Sequence, residues 1–115
     1  MSESVESKPI VEKLLEKTKA GRLHWEESAA DDEFRCVLGD YTFYVRRTQD
    51  GYGLRMEDAY RRVIIRTHAD EEIVFADIEK EATFSLLSDV YELARREALQ
   101  IPEKLANAAA ILDKI

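Results

Sequence analysis

From Phe34 to Thr67 the residues alternate apolar and polar, and turn dipeptides cut the run at short intervals. That pattern leaves the chain few ways to fold. Phe34, Cys36 and Leu38 fall on one side of an extended backbone, and Arg35 and Val37 on the other. Gly39-Asp40 follows, a pair suited to a two-residue hairpin because glycine reaches positive φ without a Cβ clash. Tyr41, Phe43 and Val45 then alternate with Thr42, Tyr44 and Arg46, the period of two expected of a half-buried strand. Asp50-Gly51 marks a second turn. Leu54 and Met56 point inward from a third strand at 53–57, and 58–61 turn again. In a fourth strand at 62–67, Val63, Ile65 and Thr67 face in while Arg62, Ile64 and Arg66 face out. The stretch therefore reads as an antiparallel β-meander.

A small sheet with one apolar face needs cover. The flanking segments carry it. A helix starting near Pro9, a good first-turn residue, presents Ile10, Val11, Leu14, Leu15 and Thr18 as one stripe and ends at Gly21. Leu23 and Trp25 alternate with Arg22 and His24, which suggests a short extra strand. Trp25 reads as a core anchor, with a platform at the edge of a groove as the other use of such a ring. Residues 73–78 fit a fifth strand or the lead into a helix, since periodicity does not separate the two over so short a run. From about Glu81, Phe84, Leu87, Val90, Tyr91, Ala94, Ala98 and Leu99 share a helical face. Pro102 breaks this helix and opens a short last one, because the residue before proline avoids the α region. In that last helix Leu105, Ala108, Ala109 and Leu112 form a stripe suited to close packing. The expected fold is α+β: an N-terminal helix, an antiparallel β-meander of four to five strands, a C-terminal helix and a short helix after it. Residues 1–7 are expected as a disordered tail and 8–115 as one domain, the size that 115 residues support.

The chemistry is defined largely by what is missing. No Gly-x-Ser-x-Gly or phosphate-cradling glycine loop occurs, and the four glycines sit at turns or element ends. The lone Cys36 falls on the core side and cannot form an internal disulfide, which agrees with a cytoplasmic setting. The two histidines, His24 and His68, lack the spacing of a metal site. Asp31-Asp32 and the acids at 70–72 read as hydrated loops. No catalytic residue, cofactor or metal ligand is assigned, and no enzyme activity is expected. The start of the chain is acidic and does not read as a signal peptide, and no apolar run approaches the ~20 residues of a membrane span.

Charge is uneven. The net charge is −7, which opposes non-specific binding to nucleic acid or anionic membranes. Residues 41–68 nevertheless carry six arginines and no lysine against three acids, whereas 69–92 carry eight acids against Lys80. Arginine offers a planar fork for carboxylate, phosphate or aromatic faces. Tyr44, Arg46, Arg62, Ile64 and Arg66 are therefore the candidate partner-binding residues, on the outward face of the meander.

The segment Leu15-Glu16-Lys17-Thr18-Lys19-Ala20-Gly21-Arg22-Leu23-His24-Trp25-Glu26, with Tyr91-Glu92-Leu93-Ala94-Arg95-Arg96-Glu97-Ala98-Leu99 near the other end, resembles small uncharacterised prokaryotic proteins. In those a Glu-Lys-Thr helix end, a glycine and a Trp-Glu pair precede a β-meander and a C-terminal helix. The resemblance implies this fold and a bacterial source. It implies no activity and carries over no site residue. The expectation is a non-enzymatic protein-interaction or regulatory module. Its partner would be another protein, or a second copy in a homodimer formed through the outer sheet face. The alternative is binding of RNA or single-stranded nucleic acid through the same Arg/Tyr face, with Tyr44 stacking on a base.

Overall fold

Alternation and turns act together to set the register of the sheet. In the computed structural model, which describes residues 3–70 and 78–115, five strands form one antiparallel sheet in the order β1-β2-β3-β4-β5. They are β1 (Glu26–Glu27), β2 (Glu33–Leu38), β3 (Tyr41–Arg47), β4 (Gly51–Glu57) and β5 (Val63–Asp70). Three helices flank them: α1 (Glu3–Lys19), α2 (Ile78–Ala98) and α3 (Ile101–Asp113). Gly39, at φ 58°, makes the β2–β3 turn. Phe34 pairs with Val45 and Cys36 with Phe43, and Val45 with Leu54 and Phe43 with Met56. Register is thus fixed by an inner face that burial requires to stay inner.

Helices α1 and α2 cover that face. Val11 and Leu14 of α1, with Leu87, Val90 and Ala94 of α2, close over Phe34, Cys36, Phe43, Val45 and Leu54. Tyr91 links helix to sheet, its ring 5.5 Å from Phe34 and 5.4 Å from Tyr52, and Tyr52 meets Phe84 edge-on. Trp25 is 1% exposed, so it is a core anchor and not a groove-edge platform. Its indole N–H donates to Thr18 Oγ1 at 3.1 Å, and the Thr18 hydroxyl donates to the Leu14 carbonyl at 2.6 Å. The one polar atom of a buried ring is thereby satisfied. Cys36 is buried, and burial pushes its thiol up from the ordinary value.

Several expectations need correction. Helix α1 begins at Glu3 instead of near Pro9, which lies inside it. As the seventh residue of the helix, Pro9 has no N–H to give the carbonyl four residues back, the ordinary cost of a proline beyond the first turn, and the helix continues past it. The short strand lies at Glu26–Glu27, just past the alternating Leu23 and Trp25, which are buried in a loop instead. Leu38 and Tyr41 are 40% and 47% exposed, because they sit where the β2–β3 hairpin runs to its turn. Val63 is also exposed: the pairing shifts between Met56 and Glu57, which puts Val63 opposite Glu57 on the outer side. The 73–78 run lies outside the described residues up to 77, and α2 starts at Ile78. The break before α3 falls at Gln100, which adopts the left-handed conformation, and Pro102 occupies the first turn of α3. Finally, the stripe on α3 does not pack: no residue of that helix is buried.

Candidate functional site

The outer face of the sheet is built from two cross-strand rows. Register places Glu26, Arg35, Tyr44, Arg55 and Arg66 side by side across all five strands. The neighbouring row runs Glu33, Arg46, Gly53 and His68. Arg35 is held by Glu26 at 2.8 Å, both half in solvent. Arg55 and Arg66 stand directly opposite one another, a like-charge pairing that costs energy on a sheet. Arg55 relieves it by turning to other partners. Its Nε donates to Glu57 Oε2 at 2.8 Å, its guanidinium lies 4.1 Å over the Tyr44 ring, and its fork approaches Glu33 Oε1 at 3.7 Å. Glu33 is itself buried and accepts a 2.7 Å hydrogen bond from the Ser28 hydroxyl. Buried carboxylates need such partners.

Gly53 shapes the floor. A Cβ there would come within 3.4 Å of the Arg46 side chain and 3.6 Å of His68 Nδ1. Without one, Arg46 lies across the β4 backbone. The result is a shallow depression of about 80 Å³, bounded by Glu33, Tyr44, Arg46, Arg55, Arg66 and His68. Arg46 and Arg66 are exposed and make no ion pair among the described residues.

Of the five candidates named from sequence, Tyr44, Arg46 and Arg66 come together here. Arg62 does not. It belongs to the turn before β5, where Asp58 Oδ1 accepts the backbone N–H groups of Tyr60 and Arg62, and Asp58 Oδ2 accepts Arg62 Nε at 2.8 Å. The Arg62 backbone N–H, with its side chain, holds the Asp58 carboxyl below its usual range. The Arg62 guanidinium also lies 5.2 Å over the Tyr60 ring. Ile64 is exposed but does not border the depression. Sequence reasoning missed Glu33, Gly53 and Arg55. Arg55 was recoverable, since alternation with Leu54 and Met56 puts it outward beside Tyr44. Glu33 carried no signal, because its burial depends on Ser28 and Arg55 arriving from elsewhere.

The groups that line the depression are those of an anion-binding surface. Two open guanidinium forks suit one or two oxyanions. Cys36 is enclosed and its thiol is held protonated, so it is unsuited to attack. Asp31 and Asp32 are exposed turn residues, Asp32 at φ 54° with its carbonyl accepting the Arg47 N–H. Among the described residues no three His, Cys, Asp or Glu side chains gather about a metal-sized space. No helix among them is long and apolar enough to cross a membrane. No protein-family model, curated protein or solved structure matches the chain.

Proposed function

We propose that this domain is a non-enzymatic protein-interaction module, working in the cytoplasm, that receives an acidic segment of another protein on its outer sheet face. The carrying observation is the depression over Gly53, where Arg46 and Arg66 stand open beside an Arg55 already engaged by Glu33, Glu57 and Tyr44. A pre-oriented central arginine with two open neighbours can grip an Asp or Glu side chain through forked, charge-assisted hydrogen bonds. The carboxylates in the floor set an upper limit on how much negative charge the site accepts.

Two features favour a peptide over nucleic acid. The Tyr44 face is covered by Arg55, so it is closed to base stacking. A phosphate chain would also meet Glu33, Glu57 and Glu26 on the same face, within a molecule of net charge −7. Self-association through this face has less apolar area than composition suggests, since Tyr44 is half-buried.

An array of short peptides varying in Asp and Glu content tests the reading. Acidic peptides should bind best, weaken with added salt, and lose at least tenfold in affinity on Arg46→Ala with Arg66→Ala, an effect of about 1.4 kcal/mol or more. Equal binding of basic peptides, or tighter salt-sensitive binding of single-stranded RNA, would overturn it. Saturable ester or phosphoester hydrolysis by the pure protein, lost on Asp31→Asn or His68→Gln, would remove the non-enzymatic part.

A further inference from the structure

A second surface, remote from the arginine depression in character, is apolar on both of its halves. One half is α3. Ile101, Leu105, Ala108, Leu112 and Ile115 recur at the spacing of one helical stripe, and Leu105 and Leu112 are 60% and 69% exposed. A helix of 13 residues lies within the ~12–15 range below which isolated helices are marginal in water, and in proteins helical stability comes mostly from packing an apolar face. Here no residue of that face is buried among the described residues. The other half is a groove of about 200 Å³ between α1 and the β2–β3 hairpin, walled by Ile10, Leu14, Leu23, Leu38 and Phe43. Lys13 and Lys17, one turn apart on α1, stand at its rim.

We propose that the groove of one copy receives α3 of a second copy, and that the exchange is reciprocal about a two-fold axis. Ridge and groove are both apolar, and the charges agree. The C-terminal end of α3 is the negative pole of its helix dipole and carries Asp113, with no basic residue in the last helical turn. Lys114 follows directly, so the side-chain charges of Asp113 and Lys114 offset each other and the dipole's negative pole remains. The positive rim of Lys13 and Lys17 therefore matches the end of the arm. Size points to reciprocity. A stable interface buries roughly 1,200–2,000 Å² in total, more than one short helix in one groove removes from water, and a two-fold exchange supplies the contact twice. The connection suits an arm: Leu99 and Gln100 separate α2 from α3, and Gln100 sits at φ 54° and ψ 45° without a side-chain cap.

The test is light scattering behind size exclusion on the full chain, with two variants. Leu105→Ser with Leu112→Ser spoils the arm at exposed positions, and Leu38→Glu spoils the groove at a half-exposed one. The wild-type chain should be a dimer at about 100 μM, some hundredfold above a micromolar dissociation constant. Each variant should be a folded monomer by circular dichroism, with dimerisation weakened at least tenfold. A mixture of the two variants retains one sound arm and one sound groove, half of the reciprocal contact, and should associate more weakly than the wild type but more tightly than either variant alone. A wild-type monomer at that concentration overturns the proposal, as does a dimer indifferent to either variant. A mixture that associates no more tightly than either variant alone also overturns it, because arms pairing with each other would give that result.

Discussion

Helices α2 and α3 are separated by two residues and have opposite fates. In α2 the stripe of Leu87, Val90, Tyr91 and Ala94 is buried on the sheet. In α3 an apolar stripe of similar spacing is in water, and not one residue is buried. Both segments satisfy the periodicity of an amphipathic helix. What differs is whether the sheet has inner face left to offer. α1 and α2 cover the strip that β1 to β5 present except at the groove beside Leu38 and Phe43, which no residue of α3 lines. Periodicity therefore reports that a helix has an apolar side, and says nothing about whether this chain supplies what covers it.

The largest effects should separate covered from uncovered residues. Phe43→Ala should cost about 3–5 kcal/mol and Leu87→Ala about 2–5 kcal/mol, the range for emptying packed sites. Leu112→Ala should change stability by less than about 0.5 kcal/mol in dilute solution, where its side chain is exposed. Urea unfolding at low micromolar protein reads all three. A cost for Leu112→Ala comparable with that for Leu87→Ala would mean α3 is packed in the monomer, and the contrast would collapse.

Much of this fold was legible because short-range rules and tertiary need coincide in the meander. Phe43 and Val45 had to face in together, and Gly39 could only be a turn. The outer site was legible in part. Tyr44, Arg46 and Arg66 follow from alternation in uninterrupted strands. Arg62 does not, because Asp58 gathers the turn around itself and draws that arginine out of the sheet. Val63 fails for a related reason: one shift in pairing beside Glu57 reverses a face, and no residue type announces it. Glu33 was illegible, since a buried acid is explained only by its partners.

A smaller effect probes how α1 is tied to the loop it covers. Thr18→Val keeps the shape and removes the oxygen that accepts the Trp25 indole N–H. Leaving that buried donor without a partner should cost about 1–3 kcal/mol. Thermal unfolding, together with a shift in tryptophan fluorescence, measures it. A neutral outcome would indicate that Trp25 finds another acceptor and is less firmly held than the rest of the core.

Alkaline pH acts on the covered half. Burial raises the Cys36 thiol above its ordinary value, so the folded chain keeps a proton that the unfolded chain releases. A folded-state pKa above the unfolded one gives a contribution that is whole below the unfolded thiol value, near 8.5, and is lost as pH rises past it. Denaturation midpoints between pH 7.5 and about 9.5 stay below the Tyr91 range, which burial also raises. The wild-type midpoint should fall over this window, and that of Cys36→Ala should fall less steeply. Parallel curves would mean the thiol is as hydrated in the folded chain as in the unfolded one.

The smallest effect goes to the junction that divides the two helices. Gln100 occupies left-handed space at φ 54° and ψ 45°, a conformation that costs a residue with a side chain about 1–2 kcal/mol. Glycine avoids most of that strain but loses more backbone entropy on ordering, about 0.5–1 kcal/mol. Gln100→Gly should therefore stabilise the fold by at most about 1 kcal/mol, and Gln100→Ala should not. The order of the two variants is more informative than either size. If α2 instead ran straight into α3, position 100 would be helix interior, and alanine would exceed glycine by about 1 kcal/mol. Glycine above alanine supports a real break and an arm free to point away from the sheet. Alanine above glycine would make α2 and α3 one helix, with the exposed stripe of α3 a rigid continuation of the buried one.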